Sequence, residues 1–436
     1  MKPMSITRNS CSVIFACLMF AAGTCAQGKT DPPKLEIGAQ FSSLTIAPSD
    51  FFKDSPGQVF SGPPQTEPGL GGRFTFNLNR NIALEAQGNF FPHRNSSGLR
   101  RGGTLLQGQF GVKIGKRFQR FGLFGTVLPG FVSFSQVTSG SGTGGIIVGP
   151  ADLHVGRKSH FSTEVGGVVE FYPSRRIVMR FDAGDTMIHY GRLPQPTVID
   201  IENPVTDTSA RMTHNFQLSS GVGFRLIAPK QNEIAAPRGQ RTRRRFEVGG
   251  QFTSLTFSIR EHYLSLYRLF YYEKSDVGFG GRFGYNPTDR IAIEAETNFL
   301  SGDVNNTLNN GRLGGRPLQV QGGVKAGKRF ARFGIFGKAR PGIVSFSKTL
   351  ITDSVVFNNG VGPFTRFHYA RRTYFSIDLG GVLEFYPSKR IVTRVDAGDI
   401  MIRYSRALQG FILNPFEVPA ETLHNFQFSS GVAFRF

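Results

Sequence analysis

The sequence contains two copies of one pattern, and this repeat limits the possible folds more than any other feature. The segment GVKIGKRFQRFGLFGTVLPGFVSFS, which begins at Gly111, returns as GVKAGKRFARFGIFGKARPGIVSFS from Gly323. In the same way VEFYPSRRIVMRFDAGDTMIHY, from Val169, returns as LEFYPSKRIVTRVDAGDIMIRY from Leu383. A repeat of this kind predicts that each copy is one structural unit. We place the units at residues 27–226 and 245–436, joined by a polar, strongly basic linker at 227–244.

Each unit is predicted to contain eight strands. Alternation of apolar and polar residues, the pattern of a half-buried strand, recurs eight times in the first unit. The segments are approximately 34–46, 68–79, 82–92, 104–116, 120–135, 159–173, 176–190 and 213–226. Tight turns follow the second, fourth and sixth strands, whereas the other connections are mostly long, polar and rich in Gly and Pro. Strands of about 10 residues or more are longer than the usual ~5–6 residues of soluble sheets and suit a tilted crossing of a bilayer.

The polarity of the two strand faces indicates a barrel in lipid. In the last strand of the first unit, Phe216, Leu218 and Phe224 lie on one face, with Gln217 and Arg225 on the other. Strands that cross a bilayer must close into a barrel, because lipid offers no hydrogen-bond partner to their edges. Short turns on one side and long loops on the other are the layout of outer-membrane barrels. The predicted fold class is therefore all-β, a transmembrane antiparallel up-and-down β-barrel. We expect two tandem eight-stranded barrels, and the alternative is one 16-stranded barrel.

The chain ends in alternating aromatic residues, with Phe434 and a terminal Phe436. With this ending and the eight-strand pattern, each unit resembles the eight-stranded outer-membrane β-barrel family of the OmpA, OmpX and OmpW type. The resemblance covers nearly all of the chain after residue 26. It implies that Phe434 and Phe436 belong to a signal read by the barrel-assembly machinery. It also implies a place in the bacterial outer membrane, although the family does not imply two units in one chain.

The first 26 residues have the composition of a secretory signal peptide. A basic start precedes an apolar stretch from Ser12 to Gly23, and small residues at 24–26 suit cleavage before residue 27. All three cysteines, Cys11, Cys17 and Cys25, lie in this segment. The exported chain is therefore predicted to have no disulfide, no thiol nucleophile and no cysteine-bound metal.

Strand parity places charged side chains inside each predicted barrel. The first interior is expected to contain Arg73, Lys113, Arg180 and Arg225 with Glu85, Glu164, Glu170 and Asp182. The second is expected to contain Arg282, Lys325, Arg394 and Arg435 with Glu294, Glu296, Asp378, Glu384 and Asp396. Because an unpaired buried charge is costly, this near-balance predicts paired networks that plug the lumens. A charged conduction path is the alternative.

The excess positive charge, +21 overall, collects at the linker and the short turns. The turn residues are Lys116, Arg117, Arg120, Arg175, Arg176, Lys328, Arg329, Arg332, Lys389 and Arg390. Such a rim is expected to contact the anionic headgroups of outer-membrane lipid. Peptidoglycan or a periplasmic partner is the alternative, and nucleic acid is not an expected ligand of an exported barrel.

No motif in the sequence predicts a catalytic, cofactor or metal site. His214 and His424 recur at the start of the last strand of each unit, and Asp185 and Asp399 recur in the motif DAGD. The first long connection of the second unit, 263–272, is aromatic and suits lipid-interface packing or contact with external surfaces. The expected function is a structural or surface-interaction role in the outer membrane, without enzyme activity. A porin-like channel for passive diffusion of small solutes is the alternative.

Overall fold

The computed structural model contains strands, turns and short connections in the residues that it describes. These are residues 34–47, 51–53, 59–61, 65–95, 101–140, 153–192, 205–206, 209–226, 245–263, 268–301, 312–358, 361–409 and 416–436. The predicted signal peptide at 1–26, the linker at 227–244 and residues 264–267 of the aromatic connection lie outside them. No helix in this part of the chain is long and apolar enough to cross a membrane.

Eight long strands of the first unit form a closed ring. They are β1 (Leu35–Ile46), β2 (Gln65–Asn77), β3 (Ile82–Asn95), β4 (Gly103–Arg117), β5 (Phe121–Gly140), β6 (Leu153–Phe171), β7 (Ile177–Tyr190) and β8 (Arg211–Arg225). Each strand pairs antiparallel with its neighbours along the chain. The ring closes because β1 also pairs with β8, with Phe41 opposite Ser220.

The second unit forms a second closed ring of the same design. Its strands are β9 (Phe246–Tyr263), β10 (Arg268–Tyr285), β11 (Ile291–Leu300), β12 (Pro317–Arg329), β13 (Phe333–Asn358), β14 (Val361–Phe385), β15 (Ile391–Tyr404) and β16 (Glu421–Arg435). The first strand of this ring, β9, pairs with both β10 and the last strand, β16. The prediction of two eight-stranded barrels is confirmed, and the alternative of one 16-stranded barrel is wrong, because β8 pairs with β1 rather than with β9.

At the end of the barrels that carries the long connections, several strands are longer than the alternation of apolar and polar residues predicts. Strand β5 continues to Gly140 and β6 begins at Leu153, beyond the expected limits of 135 and 159. Residues 268–272 of the aromatic segment, which we expected to form a loop, belong to β10. Short strands lie in the connections: Phe51–Lys53, Val59–Ser61 and Val205–Thr206 form one small sheet, and Ala407–Gln409 pairs with Phe416–Val418.

At the end of each barrel opposite the long connections, polar side chains stabilise the tight turns. The side-chain oxygen of Asn79 accepts hydrogen bonds from the backbone N–H groups of Asn81 and Ile82, both at 2.8 Å. Ser174 and Ser388 make the same kind of bond at the turns that lead into β7 and β15. Side chains that imitate a backbone turn in this way favour short connections. The predicted tight turns are therefore present where the sequence places them.

Both barrels are apolar outside and polar inside. In β11, Ile293 and Phe299 are 52% and 49% exposed, whereas Glu294 and Glu296 between them are 2% and 3% exposed. The exposed residues of the other strands are likewise mostly large and apolar, such as Phe110 and Phe375. This is the reverse of a soluble protein, in which apolar side chains fill the interior. The burial pattern therefore matches a barrel whose outer surface faces lipid.

Candidate functional site in the lumens

The centre of the first lumen is an ion-pair network around Arg180. Its guanidinium group donates hydrogen bonds to Glu85 at 2.5 and 2.6 Å and to Asp182 at 2.5 Å. All three side chains are buried. Strand β7 carries Arg180 and Asp182 two residues apart, so both point inward, and β3 brings Glu85 across the lumen. A guanidinium group held between two carboxylates forms strong, charge-assisted hydrogen bonds.

A second cation, Lys113, extends the network toward the tight turns. Its ammonium group contacts Glu170 directly and lies 3.7 Å from Glu85. Glu170 also accepts a hydrogen bond at 2.8 Å from the hydroxyl group of Tyr172, which lies in the turn after β6. Burial and the neighbouring Glu170 carboxylate raise the pKa of the Tyr172 phenol well above its usual value. Tyr172 therefore stays protonated and covers this end of the network.

The other predicted residues of the first lumen occupy the edges of the network. Arg73 lies 3.6 Å from Asp182, and Arg225 lies 3.3 Å from Glu36, a carboxylate that the sequence analysis did not include. Glu164 is different, because among the described residues its contacts are amides: Gln87 donates to it at 2.9 Å. The structure thus brings all eight predicted residues into one lumen, and Glu164 is the carboxylate that lies apart from the cations.

The second lumen repeats this arrangement with equivalent residues. Arg394 contacts Glu294 and Asp396, each at 2.5 Å, as Arg180 contacts Glu85 and Asp182. Lys325 lies 2.7 Å from Glu294 and also contacts Glu384. At the end near the tight turns, Arg435 lies 2.6 Å from Glu247, which occupies the position of Glu36. Arg282 donates to Gln251 at 3.4 Å, as Arg73 donates to Gln40 at 3.1 Å.

Two buried cations of the second lumen were missed by the sequence analysis. Arg340 donates to Asp378 at 2.5 Å and contacts Glu296, and Lys338 lies 2.9 Å from Asp378. Strand β13 carries both cations, and the equivalent residues of the first unit are Thr126 and Leu128. The signal was present, because Lys338 and Arg340 share the parity of the buried Phe336. In the first unit the same two positions hold Thr126 and Leu128, so strand parity there predicts no buried cation on this strand.

Above the charges, each lumen contains a layer of amide and hydroxyl groups. In the first barrel Asn89 receives a hydrogen bond from Gln40 and donates one to Gln107, both at 2.8 Å. Gln107 in turn donates to Gln217 at 2.8 Å, on the far wall of the barrel. In the second barrel Gln251, Asn298, Gln319 and Gln427 form the same chain. These bonds cross the lumen from wall to wall, so side chains occupy its middle.

The outer end of each lumen is filled by apolar and aromatic side chains. The first cluster consists of Leu44, Ile46, Phe91, Leu105, Val132, Phe134, Val137, Ile188 and Tyr190. The second consists of Leu255, Phe257, Leu300, Leu313, Val344, Phe346, Tyr374, Ile400, Ile402, Tyr404 and Leu423. Every side chain in both clusters is buried. Each lumen therefore has three layers in series: ion pairs, amides and an apolar core.

The basic residues of the tight turns divide into two groups. Eight are exposed, as a membrane-edge rim requires: Lys116, Arg120, Arg175, Arg176, Lys328, Arg332, Lys389 and Arg390. Arg117 and Arg329 instead turn inward: Arg117 contacts the side chain of Asn77, and Arg329 lies 3.7 Å from Glu247. The expectation that all of the turn cations form one exposed rim therefore does not hold for Arg117 and Arg329. Buried carboxylates and amides at the mouth of each lumen attract them.

The recurring histidines form aspartate pairs on the outside of both barrels. His214 lies 2.5 Å from Asp185, and His424 lies 2.6 Å from Asp399. All four side chains are exposed, with His214 at 64% and His424 at 70%. Each aspartate also accepts a hydrogen bond from the backbone N–H of the residue that follows the histidine. Asn215 donates to Asp185, and Asn425 donates to Asp399. The pairs thus lie on the lipid-facing side, away from the lumen networks.

A closed antiparallel ring with an apolar exterior and a charged interior is the fold of a membrane-spanning β-barrel of the outer-membrane type. The chain contains two such rings, and their filled lumens are its candidate functional sites. The assignment to this class of barrel rests on the strand pairing and the burial pattern of this chain.

No protein-family model matches the chain, and no curated protein matches it. Among solved structures, Neisserial surface protein A aligns over 44% of this chain and 97% of its own, with 10% identity and a TM-score of 0.26. Ail, the attachment invasion locus protein of Yersinia pestis, aligns over 44% and 99%, with 15% identity and a TM-score of 0.25. A Pseudomonas aeruginosa FadL homologue aligns over 93% and 90%, with 11% identity and a TM-score of 0.25. At these values the matches say nothing about the ligand, activity or partners of this chain.

Proposed function

We propose that the chain is an outer-membrane protein with a structural or surface-interaction role, whose two lumens are closed to solutes. In this proposal residues 1–26 direct export and the mature chain inserts into the bacterial outer membrane. The observation that carries the proposal is the series of layers that fills each lumen from the tight turns to the outer end. An eight-stranded ring leaves an interior just large enough for its own side chains.

The charged layer favours a plug over a conduction path. Arg180 and Arg394 each contact two carboxylates at 2.5 Å, so their charges are neutralised within the wall-to-wall network. Solute movement would have to break these contacts and also displace the apolar cluster, where water finds no hydrogen-bond partners. The porin-like alternative keeps one supporting feature, which is the density of charge inside each barrel.

Single-channel conductance of the purified, refolded full chain in a planar bilayer tests the closed-lumen proposal. We expect a quiet baseline or rare small openings, because described side chains of the three layers occupy each lumen in series. The same sample must show folded β-structure by heat-modifiable gel mobility, so that silence is not caused by unfolded protein. Large, stable openings on the nanosiemens scale would contradict the proposal and support the diffusion channel.

The external partners in this proposal follow from the two ends of the barrels. Exposed cations at the tight turns are attracted to anionic headgroups by about 1 kcal/mol per residue near the surface. Outer-membrane lipid is therefore the proposed partner of the rim, with peptidoglycan as the alternative. The opposite end carries the long connections, where recognition of external surfaces belongs. We propose no cofactor and no catalytic role, since a histidine–aspartate pair still needs a nucleophile.

The proposed partner during assembly is the barrel-assembly machinery. Phe436 exchanges backbone hydrogen bonds with Phe246 at 2.9 and 3.1 Å, and its ring is 6.1 Å from that of Phe246. Both Phe434 and Phe436 remain exposed on the outer surface, where another protein can contact them. Replacing Phe436 with Ala is expected to reduce the fraction of chain that reaches the folded, heat-modifiable form in cells.

The first unit provides the matched control for this variant. Leu226, at the position of Phe436, also pairs with the start of its barrel, since its N–H donates to Leu35 at 2.9 Å. Replacing Leu226 with Ala removes a similar exposed side chain without changing the end of the chain. Equal assembly defects in the two variants would argue against a special role for the terminal Phe.

A further inference from the structure

We propose that the two barrels pack against each other in the membrane through one face each, as a fixed pair related by a two-fold axis along the barrels. The faces consist of β1, β2, β7 and β8 in the first barrel and the equivalent strands β9, β10, β15 and β16 in the second. The partner of each face is thus the other half of the same chain. The linker connects the barrels, but the faces hold them together.

Burial of outward-pointing residues marks these faces. On β1, Ile37 and Phe41 point outward alike, yet Ile37 is 50% exposed and Phe41 is 6% exposed. On β16, Phe434 is 46% exposed and Phe428 is 8% exposed. The rings of Phe41 and Phe428 are stacked, with centroids 3.9 Å apart. The second barrel therefore covers part of a surface that lipid covers elsewhere.

Three further contacts between the faces join residues that occupy the same position in the two units. The hydroxyl groups of Ser220 and Ser430 lie 2.6 Å apart. The hydroxyl group of Thr393 donates to the sulfur atom of its equivalent, Met179, at 2.7 Å. The backbones of Thr66 and Ser275, also equivalent, form a bridge between β2 and β10. Contacts of like with like are the mark of an isologous, two-fold interface.

The three pairs give the direction of the axis. Thr66 lies opposite Thr45, toward the outer end of the first barrel, and Ser220 lies opposite Phe41, further in. Met179 lies opposite Val222, nearer the tight turns. The pairs therefore follow one another from the outer side to the inner side. A two-fold axis through them gives both barrels the same orientation, with all tight turns on one side of the membrane.

The composition of the faces suits association in lipid. Lipid tails are as apolar as leucine, so membrane segments associate through close packing of small residues and through hydrogen bonds. The faces are rich in such residues: Ser43 and its equivalent Ser254, both 2% exposed, accompany Ser220 and Ser430. Ser220 and Ser430 share a hydrogen bond that neither could make to lipid, whereas Ser43 and Ser254 allow close approach only through their small size. The faces therefore have a chemical reason to prefer each other to lipid.

Two differences between the units improve the fit of the first face to the second. Phe428 occupies the position of Leu218, and it is Phe428 that stacks on Phe41. Thr393 occupies the position of Met179. The contact at this position therefore joins a hydroxyl donor to a sulfur acceptor, where two identical faces would bring together two identical side chains. Two copies of the first face would lack both of these contacts. The geometry therefore favours pairing of the first barrel with the second over pairing of two first barrels.

Disulfide trapping in the full chain tests this proposal. No cysteine follows Cys25, so a chain with Cys11, Cys17 and Cys25 replaced by Ser carries only the thiols that are introduced. The test variant adds Ser220→Cys and Ser430→Cys, together with a protease site within residues 227–244. In membranes treated with a mild oxidant and then with the protease, the two halves are expected to stay joined on a non-reducing gel. They should separate after reduction.

The control places cysteines on the strands farthest from the faces. Phe131→Cys and Ile343→Cys, on β5 and β13, replace exposed equivalent residues, and this pair is expected to give separate halves. Thr66→Cys with Ser275→Cys is a second test pair at the outer end, used if the first variant fails to fold. Folded, heat-modifiable test variants that cross-link no faster than the control pair would overturn the proposal.

Discussion

Replacement of Arg180 with Met is expected to destabilise the first barrel by about 3–5 kcal/mol, the usual cost of removing one partner from a buried ion pair. Arg180 is the common partner of Glu85 and Asp182, and all three side chains are buried. Without the guanidinium group, Glu85 keeps Lys113 at 3.7 Å and Asp182 keeps Arg73 at 3.6 Å. Those contacts are longer and leave carboxylate oxygens without donors in a site that excludes water.

The sequence allows this loss to be measured in one barrel at a time. The chain contains no Trp, so a single Trp at the exposed position Phe110 reports unfolding of the first barrel in denaturant. The double variant Arg180→Met with Glu85→Gln should be more stable than Arg180→Met alone, because the amide removes the stranded charge. Arg176→Met, at an exposed turn residue, should leave the transition unchanged. A loss for Arg180→Met no larger than for Arg176→Met would mean that the network does not stabilise the barrel.

Strand parity explains why so much of the fold could be read from the sequence. An inward or outward assignment at one residue, such as Phe216 or Arg225, fixes the whole strand because side chains alternate with a period of two. Eight such strands with tight turns at every second connection leave few topologies, and closure follows from the lipid environment. The ends of the strands were less predictable. Alternation weakens at residues 136–140 and 153–158, although backbone pairing continues there.

The lumen networks show a limit of the same reasoning. Parity placed Arg180, Glu85 and Asp182 in one lumen, but it could not show that Arg180 would take both carboxylates or that Glu164 would lie among amides. Those outcomes depend on the stagger between strands across the barrel, which a single strand does not encode. Strand parity also could not predict the contacts between the barrels. Ser220 and Ser430 look like ordinary lipid-facing positions until the other barrel is in place.

The repeat itself provides the other large expected effect. Arg340→Leu gives the second lumen the residue that the first unit has at this position, Leu128, and is expected to cost about 3–5 kcal/mol in the second barrel. The reason is that Arg340 contacts both Glu296 and Asp378. Asp378 would retain Lys338 at 2.9 Å, but Glu296 would keep only a hydrogen bond from Asn298, at 3.2 Å, among its described contacts. A Trp at Phe375, exposed on β14, reports unfolding of this barrel.

The compensating change can also be taken from the first unit. Gln87 occupies the position of Glu296, so Arg340→Leu with Glu296→Gln reproduces a pair of residues that the first lumen already accommodates. This double variant should recover most of the loss, because it removes the cation together with the carboxylate that depends on it. Glu296→Gln alone should cost less than Arg340→Leu, since Arg340 keeps Asp378 at 2.5 Å. If the double variant were as unstable as Arg340→Leu, packing of the long Arg340 side chain would account for the loss. The two lumens would then differ in shape and not only in charge.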